Sequence, residues 1–358
     1  MENKNNTKIS SDILNILKKH EIDRIKSLLL FILITIAIII ANILFNNSYG
    51  IYTNIFRSFW SFLITLLLFI PAVVIPIWAT YFFTNHFFTN KIKQACMPKI
   101  IKHLKNIKWS NKEPIITNNE IVDSELFGVY NTRINEDGFS GKYKSTNFKV
   151  LELSLVNQSE SGNTRLVWTV FDGVVIIVES NKYIKNKTII TTKNDINVRN
   201  SNPLLWVSIA LIVLIAYIIY GTTIAIISTA IILALGIIYL IYAKNKKEKL
   251  AKITLEDPEF NKKYNMYSSD PIEGRYLVTT AFMERFKNLH TEFGSQKAKC
   301  SFFENQVMFA ITTHKNLFEI GNIFLPLANK KQIDKFYKEI AAIYELIDYF
   351  KLTEKIGL

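Results

Sequence analysis

Four long uncharged stretches constrain this chain more than any other feature. Ser27 to Phe45 reads SLLLFILITIAIIIANILF, and Phe59 to Phe83 reads FWSFLITLLLFIPAVVIPIWATYFF. Leu204 to Tyr220 and Ile224 to Tyr242 form a second pair, separated only by Gly221-Thr222-Thr223. At about 1.5 Å per helical residue, each approaches or exceeds the roughly 30 Å of a bilayer's hydrocarbon core. A soluble amphipathic helix keeps a polar stripe, and these runs have none. Interfacial aromatics belong at the ends of spans, where Trp206, Tyr217, Tyr220, Tyr239 and Tyr242 stand. The first run is too long for the core of a cleaved leader, and no small-residue cleavage pattern follows it. Pro71 and Pro76 predict a bend in the second.

Charge orients these runs. Residues 1–26 carry six Lys or Arg, and Lys91 to Lys108 holds six Lys without an acid. KNKKEKLAK, Lys244 to Lys252, adds five Lys against Glu248. The positive-inside rule then predicts a bacterial plasma-membrane protein with four spans, both termini in the cytoplasm and short outer links. The lysines expected at the membrane surface are Lys91, Lys93, Lys99, Lys102, Lys105, Lys108, Lys244, Lys246, Lys247 and Lys249. These two segments carry most of the net charge of +13, so the pI near 9.4 belongs to the membrane boundary. Basic residues interleaved with aromatics on one folded face are absent, which argues against nucleic acid as a partner.

Cys96 and Cys300 lie far apart on the expected cytoplasmic side, where thiols stay reduced. The five His show no ligand-like spacing, so neither metal nor cofactor is expected. DGFSGK, Asp137 to Lys142, lacks the first Gly and the final Ser or Thr of a phosphate loop and reads as a turn between strands. No Gly-x-Ser-x-Gly elbow occurs.

The polar parts give a coarse fold. Lys91 to Lys108 reads as an amphipathic helix with Cys96, Ile100, Leu104 and Ile107 on one face. Asn118 to Phe127 suggests a short helix, and KYKSTNFKVLELSLV, TRLVWTVFDGVVIIVES and KTIITTK read as strands. Lys193 to Asn202 reads as a linker. After the second pair of runs, KITLED predicts a strand, PEFNKKY a helical turn and NMYSS a strand. Asp270-Pro271-Ile272-Glu273 then starts a helix expected to reach about His290. KAKCSFFEN and QVMFAITT form a hairpin turning at Glu304-Asn305, and Ile333, Phe336, Ile340, Ile343, Tyr344 and Ile347 mark a C-terminal amphipathic helix. The expected fold class is a multi-pass α-helical membrane region of four spans plus a cytoplasmic α+β domain split by a transmembrane hairpin. Its parts are an N-terminal segment at 1–26, spans at 27–45 and 59–83, a first domain part at 91–203, spans at 204–220 and 224–242, and a second domain part at 243–358.

Glu256-Asp257-Pro258-Glu259-Phe260, Tyr267-Ser268-Ser269-Asp270 and Arg275-Tyr276 stand in an order and spacing that resembles the bacterial family of domain of unknown function 3137. The resemblance covers most of residues 91–358 outside the second pair of runs, which looks like an insertion. It implies two spans before the domain and no known activity, so Glu256, Asp257, Pro258, Phe260, Asp270, Arg275 and Tyr276 are marked as motif residues without a role. The functional expectation is a membrane-tethered binding or scaffold domain for a protein or lipid partner. The bilayer itself, another membrane protein or a second copy of the chain are the expected associates. A membrane-anchored enzyme on a cytoplasmic or lipid-linked substrate is the first alternative, and a transport-complex subunit the second.

Overall fold

The computed structural model describes residues 13–48, 70–102, 106–161, 164–180, 183–193, 250–292, 297–313 and 317–350. The run at 204–242, the first part of the run at 59–83, and most of the expected linker lie outside the described residues. The chain divides into two compact units, residues 1–109 with 316–341, and residues 110–315 with 342–358.

The first unit is helical. Residues 13–18 form a short helical segment, followed by α1 (Glu21–Ser48). A π-helical turn at Ile70–Val74 leads into α2 (Ile75–Ile101), and α7 (Lys330–Tyr349) contributes its residues 330–341. Pro71 and Pro76 lie in and just after the π turn, where a missing amide hydrogen most readily disturbs the regular ladder. The core of this unit joins Ile13, Leu17, Phe88, Ile92, Cys96, Met97, Ile100, Ile320, Ile323, Leu327, Ile333, Phe336 and Ile340, all buried.

The second unit is built on a nine-stranded sheet. Its strands are β1 (Ile107–Asn111), β2 (Thr132–Tyr143), β3 (Thr146–Ser161), β4 (Thr164–Glu179), β5 (Thr188–Thr192), β6 (Ala251–Ile253), β7 (Tyr264–Ser268), β8 (Lys297–Phe303) and β9 (Gln306–Thr312). They lie in the order β1-β2-β3-β4-β9-β8-β5-β7-β6. Neighbours from β2 onward pair antiparallel. Short helices α3 (Asn118–Asp123), α4 (Pro258–Lys263), α5 (Pro271–Leu277) and α6 (Thr280–Glu292) decorate it.

The centre of the sheet is covered on both faces, which is why VVIIV at 174–178 is apolar at every position instead of alternating. Leu151, Leu153, Leu155, Val175, Ile177, Met308 and Ala310 share one face with Ile116, Ile121 and Leu126 of the segment around α3. On the other face Phe282 of α6 meets Phe302 at 5.4 Å and Phe350 at 4.9 Å, and Phe309 meets Phe350 at 4.9 Å. Gly173 is required where β4 passes β9: its φ is +155°, and a Cβ there would stand 2.2 Å from the Ile311 carbonyl oxygen.

The expectation of four membrane spans beside a split α+β domain is corrected here. Among the described residues one helix, Glu21–Phe45, is long and apolar enough to cross a membrane. Strands from both sides of the 204–242 run join one large antiparallel sheet. The second apolar run does not continue as a uniform span, because α2 acquires Thr84, Asn85 and His86 and then buries its C-terminal stretch inside protein. Counting apolar runs cannot tell such a helix from one that faces lipid along its whole length.

Smaller departures have local causes. DGFSGK is not a turn but lies within β2, whose register shifts between Asn135 and Gly138; the turn falls at Lys144-Ser145, with Lys144 at φ 53°. The helix expected to reach His290 breaks at Val278, and Thr279 starts α6 by accepting the Phe282 amide at 3.2 Å. The helix expected through Lys108 ends at Ile101, and Ile107 belongs to β1. The hairpin turn at Glu304-Asn305 is present, with both residues at positive φ as a tight two-residue turn demands.

Candidate functional site

The most distinctive surface of the molecule is on α1. Within its 25 residues from Glu21 to Phe45, the most apolar 18-residue window has a mean hydropathy of 3.1, and none of that window is buried inside the protein. Leu29, Leu30, Leu33, Ile36, Ile40, Ile43 and Leu44 are exposed. At 1.5 Å per residue the run measures about 37 Å, enough for a hydrocarbon core of about 30 Å.

α2 packs against α1 in the opposite direction. Lys91 Nζ lies 2.9 Å from Asp23 Oδ1 near one end of the pair, and the Phe31 and Tyr81 rings meet at 6.1 Å further along. On the outward side of α2, Ile75, Trp78, Phe82, Phe83 and Phe87 are exposed, with Trp78 and Phe82 stacked at 5.8 Å. The polar end is held together by a clamp. The Arg24 guanidinium pairs with Glu21 and donates to the Ile323 carbonyl at 2.9 Å. Glu21 Oε2 accepts the Leu327 amide at 3.0 Å, and Asn85 Oδ1 accepts the Ile323 amide at 3.1 Å.

The expected surface lysines divide. Lys91, Lys99, Lys102 and Lys108 are exposed, Lys91 while paired with Asp23. Lys93 instead turns inward: it is 7% exposed and its Nζ sits 2.7 Å from Glu319 Oε1. An ammonium in that position cannot reach a membrane surface. Nearby, burial pushes the Glu339 carboxyl above its ordinary value, although it accepts the Phe318 amide at 2.6 Å and faces Lys335 at 3.5 Å. Lys105, Lys244, Lys246, Lys247 and Lys249 lie outside the described residues.

The motif residues come together as a local scaffold. Asp257 caps α4, accepting the Glu259 and Phe260 amides at 2.8 and 3.1 Å, and Pro258 occupies the first helical position. Lys287 donates to Asp257 at 2.8 Å; this bond, with the Phe260 amide, holds the carboxyl below its usual range. Phe260 is fully buried, 4.8 Å from the Tyr264 ring and 6.2 Å from Phe286. Asp270 caps α5 in the same way through the Ile272 and Glu273 amides. Glu273 in turn accepts the backbone amides of Lys185 and Asn186 at 2.8 and 2.9 Å. Arg275 Nη2 donates to the Thr254 carbonyl at 3.4 Å, while Glu256 and Tyr276 are exposed.

No group of three or more His, Cys, Asp or Glu is arranged to hold a metal among the described residues. The residues that sequence reasoning missed are Glu21, Arg24, Asn85 and the loop from Glu319 to Leu327. Glu21 and Arg24, one turn apart just before an apolar run, were the available signal, since ionic groups at the mouth of such a run seek partners.

Fold and surface together define an antiparallel-sheet protein that carries an exposed, apolar N-terminal helix. The chain belongs to the family described as Protein of unknown function (DUF3137), whose model matches residues 169–352, more than half of its length. No curated protein matches it significantly. Among solved structures, the crystal structure of the mycobacterial trehalose monomycolate transport factor A, TtfA, aligns with a TM-score of 0.31 and 7% identity, covering 70% of this chain and 91% of that one.

Proposed function

We propose that this chain is a membrane-anchored binding or scaffold protein of the bacterial plasma membrane, whose sheet-bearing unit engages a protein or lipid partner. The observation that carries the reading is the exposed apolar length of α1. A helix of this composition left in water would expose far more contiguous apolar surface than soluble proteins tolerate. α1 enters the bilayer, and the exposed apolar side chains of α2 lie beside it. The basic residues flanking the polar end, Lys18, Lys19, Arg24, Lys26, Lys99 and Lys102, support a cytoplasmic side for that end. A binding role for the sheet is supported by Val129, Leu166 and Val167, which are exposed at one end of the β3–β4 ribbon, where the Asn157 side chain donates to the Val129 carbonyl.

The test is the paired substitution Leu33→Arg and Ile36→Arg in the full chain. The fourteen Leu, Ile and Phe residues from Leu28 to Phe45 favour insertion by about 4 to 8 kcal/mol, and each central Arg opposes it by about 2.5 to 3.5. The double variant is expected to move largely from the membrane fraction into the aqueous one. Unchanged partition would remove α1 as the anchor.

A further inference from the structure

We infer that the loop around Phe324 and Leu325 is a second membrane contact, a wedge that enters the lipid interface beside α1 and α2. The inference rests on the anchoring reading above. Sequence separates this loop from α1 by almost the whole chain, yet its backbone is tied to both helices. Ile323 is buried, its amide bound to Asn85 and its carbonyl to Arg24, and Leu327 is buried with its amide on Glu21. Between these fixed points the Asn322 side chain accepts the Phe324 and Leu325 amides at 2.9 and 2.8 Å, closing a tight turn.

The turn puts two apolar side chains outward. Phe324 is 51% exposed and Leu325 45%. Phe324 stacks on Tyr81 at 5.2 Å and meets Phe31 edge-on at 5.7 Å. Phe31 lies eight residues beyond Asp23, about 12 Å along the helix from the Asp23–Lys91 pair that marks the polar end. Phe324 therefore stands at the depth where aromatic side chains collect at a membrane–water boundary. The polar contacts fix the loop's conformation in advance, and its apolar tip is continuous with the exposed surface of α1 and α2. Lipid is the occupant that fits this continuity.

The experiment uses the full chain in phosphatidylcholine–phosphatidylglycerol vesicles, with Leu325→Cys or Ile36→Cys carrying an environment-sensitive fluorophore. Cys96 and Cys300 are buried and stay unlabelled, which the unsubstituted chain checks. Lipids spin-labelled near the headgroup are expected to quench the label at 325 several-fold more than aqueous iodide does. Quenching at 36 by lipids spin-labelled deep in the acyl chain, without headgroup-label quenching at 325, would overturn the wedge while leaving the anchor intact. Quenching at neither would overturn both. A blue-shifted label at 325 that only iodide or nothing quenches would assign the loop to a protein contact and likewise overturn the proposal. The same label at Phe324→Cys gives an independent reading if the first variant does not fold.

Discussion

Replacing Lys93 by Met separates an inward ion pair from a membrane-surface lysine. Met matches the length of the lysine stem, so the change removes the charge and little of the packing. Breaking an enclosed pair by deleting one partner costs about 3 to 5 kcal/mol, because the other charge stays behind in a poor solvent. Lys93 is 9% exposed at its side chain and Glu319 22%, so water reaches the carboxylate and the expected loss is nearer about 2 to 4 kcal/mol. For a unit of this size that lowers the melting midpoint by about 4 to 16 °C. Lys93→Met with Glu319→Gln removes both charges and is expected to recover most of the loss, giving a coupling of at least about 1 kcal/mol in a double-mutant cycle. The assay is thermal unfolding of the full chain in detergent micelles, followed by circular dichroism. A lysine at the lipid surface behaves differently: Lys93→Met would then change stability by less than about 0.5 kcal/mol and weaken binding to anionic vesicles. That pattern, with no recovery in the double variant, would refute the structural placement.

Two further outcomes test other parts of the molecule. Phe260→Ala empties the aromatic site between Tyr264 and Phe286 and is expected to cost about 3 to 5 kcal/mol in the melt of the same preparation, whereas a loss below about 1 kcal/mol would show that the motif Phe is not core. Glu339 has its folded pKa raised by burial, so the folded state binds more protons than the unfolded one between the ordinary value of 4.5 and the raised value. Its contribution to stability therefore falls as pH rises through that window, and Glu339→Gln is expected to flatten this part of the pH–stability curve. An unchanged slope would contradict the placement.

Much of this arrangement was readable in local chemistry. The cap at Asp270, followed by Pro at the first helical position, stands where the sequence predicts it, because capping depends on a few adjacent residues; Asp257 before Pro258 carries the same pattern. The β8–β9 hairpin follows from two apolar runs about Glu304-Asn305 for the same reason. The orientation of Lys93 was also available and missed. It stands three residues before Cys96 and seven before Ile100, so it shares their inward face, and only its charge suggested otherwise. The order of nine strands was not legible, since β4 meets β9 across more than a hundred residues and β5 lies between β7 and β8. Nor was the loop at Phe324, whose meaning depends on Glu21, Arg24 and Asn85 reaching it through space.

Whether α1 lies across lipid is decided by an accessibility scan. Spin labels would be placed singly from Ile25 to Leu44 in the vesicle-bound full chain, and their collisions measured with oxygen, which concentrates in lipid, and with a water-soluble nickel complex. Oxygen access is expected to rise to a single maximum near the middle of the helix and to fall toward both ends, as nickel access does the reverse. Oxygen and nickel access alternating in antiphase every 3.6 residues, with no maximum along the helix, would place α1 on a surface, and uniform access to nickel would place it in water; either result would contradict the anchor.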